Sequence, residues 1–317
     1  MVHLACKKQN EGNMGLIIVG TVAFDEVETP FGTSGKMVGG AASYIGLSAS
    51  HFVDRQHLIS VVGDDFPEGF LQELTQRGVD LTGLERRKGE KSFFWSGKYH
   101  YDMNARDTLV TDLNVLADFK PVVPAGAQGA EVVMLGNLDP AVQASVLDQL
   151  DPRPKWVVLD TMNFWMDIAW DSLKEVLARV DVLTINDEEA RQLSGEHSLA
   201  KAARSIRAMG PKVLIIKKGE HGALLFSGEE VFFAPALPLE DVVDPTGAGD
   251  TFAGGLVGYL SQTRDFSVEN MKRAVLYGSV MASFACEAFG TERLLEVTRE
   301  EIEVRLQRFR ALVGTQW

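Results

Sequence analysis

Short, continuous apolar runs recur along this chain and alternate with segments of helical pattern. Unbroken apolar runs, rather than apolar residues at every second position, are typical of parallel strands buried on both faces. The alternation predicts an α/β fold with a doubly wound, mainly parallel sheet that is flanked by helices and binds ligands at the carboxyl ends of its strands. The predicted strands are 15–20, 57–62, 131–135, 156–159, 182–185 and 213–217, and the first predicted helices are 41–52 and 66–77.

Two segments, at about 25–38 and 91–112, interrupt this rhythm. The first contains the turn-forming pair Thr29-Pro30, and the second alternates polar residues with aromatic and β-branched ones, which indicates strands. Together they predict a small β-sheet over one end of the core, although an edge hairpin with packed aromatic residues explains the pattern equally well. We expect a single domain over 15–317, preceded by an N-terminal extension at 1–14.

The composition argues against several classes of protein. The net charge of −13 disfavours a general nucleic-acid surface or an anionic-membrane surface. Two cysteines, Cys6 and Cys286, are too few for a disulfide framework, as expected in a reducing compartment. Neither the start of the chain nor any later run has the apolar length of a signal peptide or a membrane span. We expect a cytoplasmic monomer or homodimer with no nucleic-acid or membrane partner.

The segment 244–255, DPTGAGDTFAGG, joins a glycine-rich turn to an aspartate and a run of small residues. Gly247 and Gly249 allow consecutive N–H groups around Ala248 to point into one concavity, which is an anion-binding nest. A helix predicted from 250 to 260 places these groups at its positive end, where a phosphate is stabilised. A bare GxGD would be an ordinary turn and N-cap, but the longer string favours phosphoryl transfer.

Asp250 follows the nest and is the candidate general base. It would accept the proton of an acceptor hydroxyl while that oxygen bonds to phosphorus. Its position at a helix N-terminus predicts a lowered pKa. The small residues that follow predict a helix lying close to a sheet; they are Ala253, Gly254, Gly255 and Gly258.

The segment 244–255 resembles the C-terminal signature of the ribokinase-like (PfkB) family of sugar and nucleoside kinases. Segments 38–43 (VGGAAS) and 60–65 (SVVGDD) resemble its N-terminal signature. Two signatures in the expected order, about two hundred residues apart, are more specific than either alone. The resemblance runs from about residue 15 to about residue 290. It implies ATP-dependent phosphorylation of a hydroxymethyl group, with ATP and Mg²⁺ as cofactors and the small sheet as a lid that excludes water.

The resemblance places the acceptor site in the first part of the chain. Asp25 would bind vicinal hydroxyls of the acceptor, although a turn aspartate explains the same residue. Gly39 and Gly40 would let the backbone approach the sugar, or would simply form a helix entry. Ala23 and Tyr44 stand where many relatives have asparagine, which favours the nucleoside (adenosine) kinase branch and places Tyr44 in the substrate site.

Two motifs are assigned to the nucleotide side. Asn186 and Glu189 resemble the family's NxxE motif, which acts on Mg²⁺ and phosphate through water, but their spacing is also that of a helix capping box. Lys217, Gly219 and Gly222 resemble a turn beside the nucleotide phosphates, with lysine where threonine is frequent. Without the other motifs this turn would be an ordinary hairpin.

The remaining predicted contacts lie around the C-terminal signature. The resemblance places Thr246, Gly247 and Gly249 at the nucleotide, and Gly247, Ala248 and Gly249 with Asp250 in the catalytic anion hole. Asp244 and the backbone carbonyls of 285–290 would hold a monovalent cation such as K⁺, as in some relatives.

The leading hypothesis is therefore an ATP-dependent kinase of a nucleoside or sugar. Aromatic residues at 93–101 offer rings for base stacking, but such a stripe also packs as core. A ribose- or fructose-type sugar kinase and a catalytically silent nucleotide-binding regulator remain alternatives. A Rossmann oxidoreductase is disfavoured because Gly20 to Asp25, after the first strand, contain no GxGxxG turn.

Overall fold

The chain forms thirteen strands and eleven α-helices within residues 15–312 and 314, the part that the computed structural model describes. The strands are β1 (Leu16–Val19), β2 (Ala23–Thr29), β3 (Gly32–Gly39), β4 (Gln56–Gly63), β5 (Val79–Arg87), β6 (Phe94–Tyr99), β7 (Arg106–Asp112), β8 (Val132–Leu135), β9 (Trp156–Asp160), β10 (Val182–Asn186), β11 (Val213–Lys217), β12 (Ala223–Ser227) and β13 (Glu230–Ala234). The helices are α1 (Ala41–Ala49), α2 (Glu68–Gln76), α3 (Pro140–Asp148), α4 (Asn163–Ile168), α5 (Trp170–Leu177), α6 (Asp187–Ser194), α7 (Leu199–Arg207), α8 (Ala248–Thr263), α9 (Val268–Ala285), α10 (Glu292–Glu296) and α11 (Arg299–Leu312). None of these helices has the length and apolar character needed to cross a membrane. The predicted extension at 1–14, with Cys6, lies outside the described residues.

Nine strands form one mainly parallel sheet in the order β13-β12-β11-β10-β9-β8-β1-β4-β5. Neighbours from β11 to β5 are parallel, whereas β12 and β13 pair in antiparallel fashion at one edge. The chain proceeds outwards from β1 to β5 on one side and from β8 to β11 on the other. This reversal is the switch point of a doubly wound sheet, where ligands bind outside the carboxyl ends of the strands. The predicted fold class is confirmed.

The inner strands of this sheet are mostly apolar because helices cover both faces. Leu16 and Ile18 of β1 belong to a core shared with α1, α8 and α9, whereas Ile17 and Val19 belong to a second core shared with α5, α6 and α7. Successive residues of a strand point to opposite faces, so a strand between two cores is apolar at most positions, with buried exceptions such as Ser60 and Thr184. All six predicted strands are present for this reason.

The glycines of α8 pack against two other helices, while α8 itself also lies against β1 and β8 of the sheet, as predicted. A Cβ on Gly254 would lie 2.5 Å from the Ile45 carbonyl oxygen of α1, and one on Gly255 would lie 2.9 Å from the Tyr277 carbonyl oxygen of α9. The hydroxyl of Ser48 in α1 donates to the Thr251 carbonyl oxygen at 2.7 Å. The small residues therefore bring three helices together, which fixes the start of α8 beside the start of α1.

A second, four-stranded sheet has the order β3-β2-β6-β7 and is the predicted small sheet; we call it the lid. Strands β2 and β6 are parallel, and the outer pairs are antiparallel. The edge strand β5 of the large sheet was not predicted. Its sequence, VDLTGLERR, mixes polar and apolar residues because an edge strand is only partly covered.

Candidate active site

The carboxyl edge of the large sheet brings together side chains from three neighbouring strands. Asp160, Asn186 and Lys217 are the last residues of β9, β10 and β11. Lys217 Nζ donates to Asp160 Oδ2 at 2.6 Å, and the Thr184 hydroxyl donates to the same carboxylate oxygen at 2.9 Å. The side chains of this ion pair are only 17% and 10% exposed, so Lys217 is held in place as a buried cation.

The helix α8 begins at a turn whose geometry requires glycine. Gly247 has φ +73°, and a Cβ there would lie 2.5 Å from ring carbons of Tyr44. The Ala248 amide closes the turn by donating to the Pro245 carbonyl at 3.1 Å, so it is not part of the predicted nest in this conformation. Within residues 15–312, the amides of Gly249 and Asp250 have no acceptor and are the donors that the nest can offer.

Lys217 lies against this nest. A Cβ on Gly249 would be 3.1 Å from Lys217 Nζ, so the ammonium group sits beside the free amides. Burial opposes the charged form of Lys217, but three nearby carboxylates outweigh it and raise the pKa above its usual value; they belong to Asp160, Glu189 and Asp250. The amides of Gly249 and Asp250 and the ammonium group of Lys217 thus lie side by side, an arrangement that can bind an anion.

The predicted lowering of the Asp250 pKa is wrong. Burial, followed by the negative charge of Asp160, raises the pKa of Asp250 to about 7, although Lys217 opposes the rise. A helix N-terminus is worth about 1 kcal/mol, less than one pKa unit, whereas full burial of a carboxylate shifts its pKa by up to about 3–5 units. At neutral pH the side chain is therefore divided between its acid and base forms.

Asp25 lies on the second strand, β2, and is 6% exposed. Its Oδ2 accepts from the Gly40 amide at 3.3 Å, while burial and the charge of Asp244 raise its pKa to about 7. A Cβ on Gly39 would overlap this carboxylate, and one on Gly40 would lie 2.6 Å from the Thr21 carbonyl oxygen. Both glycines are thus required by contacts within the protein, and their predicted closeness to the acceptor stays a prediction.

Two tyrosines lie between Asp25 and the nest. Tyr44 is 1% exposed beneath Gly247, and its hydroxyl has no hydrogen-bond partner in the described part of the chain. The Thr246 hydroxyl donates to Tyr99 Oη at 3.2 Å, and the Thr246 amide donates to Asp244 Oδ1 at 2.8 Å. Tyr99 belongs to the lid, so this bond joins the lid to the loop before α8. Substrate contact by Tyr44 and nucleotide contact by Thr246 stay predictions.

Asn186 and Glu189 form a capping box at the start of α6. Each accepts, through its side-chain oxygen, a hydrogen bond from the backbone N–H of the other at 2.7 Å. Glu189 is 5% exposed, and burial together with the charge of Asp160 raises its pKa to about 7. The structural role of the pair is confirmed, whereas its action on Mg²⁺ stays a prediction.

The donor set of the site fits a metal that arrives with the nucleotide. Among the described residues, no group of three or more His, Cys, Asp or Glu side chains is arranged to hold a metal alone. Mg²⁺ commonly binds through one or two carboxylates, waters and substrate phosphates. Burial and, after it, the negative charge of Asp160 raise the pKa of both Glu189 and Asp250, and a nearby divalent cation would favour the charged form of either carboxylate.

The turn between β11 and β12 touches the lid. A Cβ on Gly219 would overlap the side-chain amide of Asn104, which lies between β6 and β7. The Lys218 amide donates to the Gly222 carbonyl at 2.8 Å and holds the turn closed. Contact of Gly219 and Gly222 with a nucleotide stays a prediction.

Asp244 is fully buried and supports two segments of backbone. Besides the Thr246 amide it accepts from the Gly290 amide at 3.3 Å. The Cys286 carbonyl, one of those considered for a cation, accepts from the Val243 amide at 2.9 Å. A K⁺ site here stays a prediction.

Two features of the site were missed from the sequence. The ion pair of Asp160 with Lys217 spans strands that are separated by β10, and the register that aligns their ends is not visible in the chain order. The bond from Thr246 to Tyr99 joins residues 147 positions apart. The sequence did contain one signal for the ion pair, namely a polar residue at the end of each buried strand. Parallel strands end at the same edge of a sheet, so such residues lie near one another.

Comparison with known proteins extends the match beyond these motifs. The family model for pfkB family carbohydrate kinases matches residues 17–297. A cytidine kinase of Thermococcus kodakarensis is 32% identical over 253 residues, which cover 78% of this chain and 88% of that kinase. Aminoimidazole riboside kinase from Salmonella enterica, solved with aminoimidazole riboside and an ATP analog, aligns with a TM-score of 0.72 at 25% identity, covering 92% of this chain and 99% of that one.

A further structure, a ribokinase II from E. coli in complex with ATP and Mg²⁺, shares the fold with a TM-score of 0.76 at 21% identity, covering 93% of this chain and 99% of that one. A doubly wound sheet with a separate lid, matched over most of its length to such enzymes, defines a kinase with an alcohol group as acceptor. The chain belongs to the pfkB family of carbohydrate kinases.

Proposed function

We propose that this kinase transfers the γ-phosphoryl group of ATP to the hydroxymethyl group of a nucleoside. The observation that carries the proposal is the convergence of Asp25 and Asp250 on one site. Burial is the largest cause of the raised pKa of the Tyr44 hydroxyl. The negative charges of Asp25, Asp244 and Asp250 raise this pKa further, so all three carboxylates lie near the hydroxyl. An acceptor held by Asp25 therefore lies close to the start of α8, where Asp250 and the free amides are found.

The nucleoside preference rests on the inner face of the lid. Trp95 of β6 is the register partner of Asp25, so the two side chains lie on the same face of the lid. Trp95 is half-buried, and its indole Nε1 donates to the Thr108 hydroxyl at 3.3 Å. A base could stack on this ring while Asp25 accepts from the ribose hydroxyls. The names of the cytidine and aminoimidazole riboside kinases support the same acceptor class.

Phosphoryl transfer would rest on positioning and electrostatics. Asp250 accepts the hydroxyl proton of the acceptor, and the amides of Gly249 and Asp250 bind the transferring group. Lys217 offers a cation on the same side of the nest. Mg²⁺, held through water by Asn186 and Glu189, would offset charge on the phosphate oxygens when it is bound.

Tyr44 acts in this proposal mainly as a support. Its ring fills the space that a Cβ of Gly247 would need, so it keeps that turn in position. Its buried hydroxyl has no partner in the described part of the chain and lies within the influence of both Asp25 and Asp250.

The raised pKa of Asp250 predicts an acid limb in the rate. The base form of a carboxyl group whose pKa is about 7 is lost as the pH falls below that value. We expect kcat/KM to fall at least tenfold per pH unit below about pH 7, where Asp25 also takes up a proton, and to level off above it. Initial rates at constant MgATP concentration across this range give the measurement. A flat profile down to about pH 5 would contradict the assignment of Asp250 as base.

Turnover of ATP with Mg²⁺ across a panel of acceptors tests the proposed function. The panel contains cytidine, adenosine, inosine, ribose, fructose and fructose 6-phosphate, and we expect phosphorylation of at least one nucleoside at the highest kcat/KM. Preference for a sugar would show that Asp25 suffices without stacking on Trp95. No turnover, with ATP still bound, would favour a nucleotide-binding regulator.

A further inference from the structure

Arg106 of the lid faces the phosphate side of the site. It is the first residue of β7 and the register partner of Tyr99 in the antiparallel pair β6–β7. Side chains of such a cross-strand pair lie on the same face of a sheet. Since Tyr99 reaches Thr246, immediately before Gly247, Arg106 lies on the face of the lid that is turned towards the start of α8.

A second contact fixes the lid on the other side of Arg106. Asn104, two residues earlier, packs against Gly219 in the turn between β11 and β12. The Asp102 carboxylate accepts from the amides of Asn104 and Ala105, both at 3.0 Å, and so shapes the lid turn. Arg106 is thus placed between one contact to the α8 loop and one contact to the turn that carries Lys217.

The guanidinium group of Arg106 has no hydrogen bond or ion pair within the described part of the chain, and the residue is exposed. Burial raises the pKa of Asp250 and of Glu189, and the positive charge of Arg106 partly opposes both rises. The charge therefore reaches the catalytic carboxylates without being paired to either. A planar group with five donors, held beside an anion nest, is suited to phosphate oxygens.

We propose that Arg106 binds the phosphoryl group during transfer, from the side of the lid. The inference rests on the proposed function and adds a catalytic residue to it. The acceptor oxygen bonds to the γ-phosphorus, and the bond from that phosphorus to the β,γ-bridging oxygen breaks. The electron pair of that bond leaves with ADP, and the hydroxyl proton goes to Asp250. Arg106 donates to non-bridging oxygens and offsets their charge.

The role of Arg106 makes transfer depend on a closed lid. Lys217 is fixed to the large sheet, but Arg106 reaches the site only while Tyr99 and Asn104 hold the lid in place. An arginine supplied by a movable element is a known means of stabilising the transition state of phosphoryl transfer.

The test compares Arg106→Gln with Lys98→Gln as a matched control. Lys98 precedes Tyr99 on β6, so it lies on the opposite face of the lid, where it pairs with Glu28 at 2.5 Å. Both changes remove one positive charge from the lid. We expect Arg106→Gln to lower kcat by about 10²- to 10³-fold with the acceptor KM within about threefold, Lys98→Gln to match wild type, and Arg106→Lys to be intermediate.

Calorimetric titration with ATP and with ADP, without acceptor, separates this inference from the proposed function. We expect Arg106→Gln to weaken ATP about tenfold and ADP hardly at all, since the lost contact is to the γ-phosphate. If the wild-type protein showed no turnover, the proposed function would be contradicted. The two titrations would still show whether Arg106 contacts the γ-phosphate of bound ATP. Equal behaviour of Arg106→Gln and Lys98→Gln in both assays, or a rise in the acceptor KM alone, would overturn the inference.

Discussion

Replacement of Asp250 by asparagine is expected to lower kcat about 10³-fold and to leave the ATP dissociation constant within about threefold of wild type. The amide keeps the shape of the side chain but cannot accept the hydroxyl proton. The donors of the nest are backbone amides, which the change leaves in place. Coupled-assay turnover and calorimetric ATP binding, measured on the same preparation, give the two numbers.

Asp241→Asn is the matched control, since Asp241 is an exposed acid in the loop before the signature. It removes the same charge nearby and should leave kcat unchanged. Asp250→Asn should also remain folded at pH 8. A carboxyl group whose pKa rises from about 4 in the unfolded chain to about 7 in the folded state costs stability that builds up between these two pH values and is complete above about pH 7, and the amide removes this cost. Equal loss of turnover and ATP binding would eliminate Asp250 as the base.

Asp25→Ala is expected to lower kcat/KM for the acceptor about 10³-fold while ATP binding stays near its wild-type value. Two hydrogen bonds from acceptor hydroxyls to a buried carboxylate are worth about 3 to 6 kcal/mol together, which spans about a hundredfold to ten-thousandfold. Steady-state kinetics with the best acceptor of the panel measure the loss. The variant should also discriminate less against acceptors that lack one of the vicinal hydroxyls.

A second variant tests the same carboxylate from the backbone side. Gly39→Ala places a Cβ where the Asp25 carboxylate lies, so it should displace that group and reduce kcat/KM in the same direction. Glu26→Gln is the control, because Glu26 is the next residue on β2 and points away into solvent. If Asp25→Ala kept full kcat/KM, acceptor recognition would have to be reassigned to other residues of the lid.

The sequence predicted the elements that depend on local pattern. The strand β1 lies between two cores, so its apolar run is continuous, and the capping box at Asn186 follows from a spacing of three residues. The same holds for the turn at Gly247, whose positive φ explains the glycine. Features of this kind are encoded within a few neighbouring residues.

The remainder of the site depends on contacts between distant segments. The pKa of Asp250 is governed by burial and by Asp160, which outweigh the helix end that the sequence shows. Tyr44 lies beneath Gly247 because α1 and α8 pack together through small residues. Arg106 faces the site because of the register of β6 and β7, which has a bulge near Gly97. Neither burial nor register can be deduced from one sequence.

The Asp25 carboxylate occupies the space above Gly39, so this group is built into the lid. Asp25 belongs to the lid, and the lid strand β3 ends at Gly39, directly before the helix α1 that supports the nest. The carboxylate that we propose to bind the acceptor is thus part of the lid and not of the large sheet. Binding of an acceptor to Asp25 would then also hold the lid closed and exclude water. A compound without the right hydroxyls would make no bond to Asp25 and would leave the lid free to open.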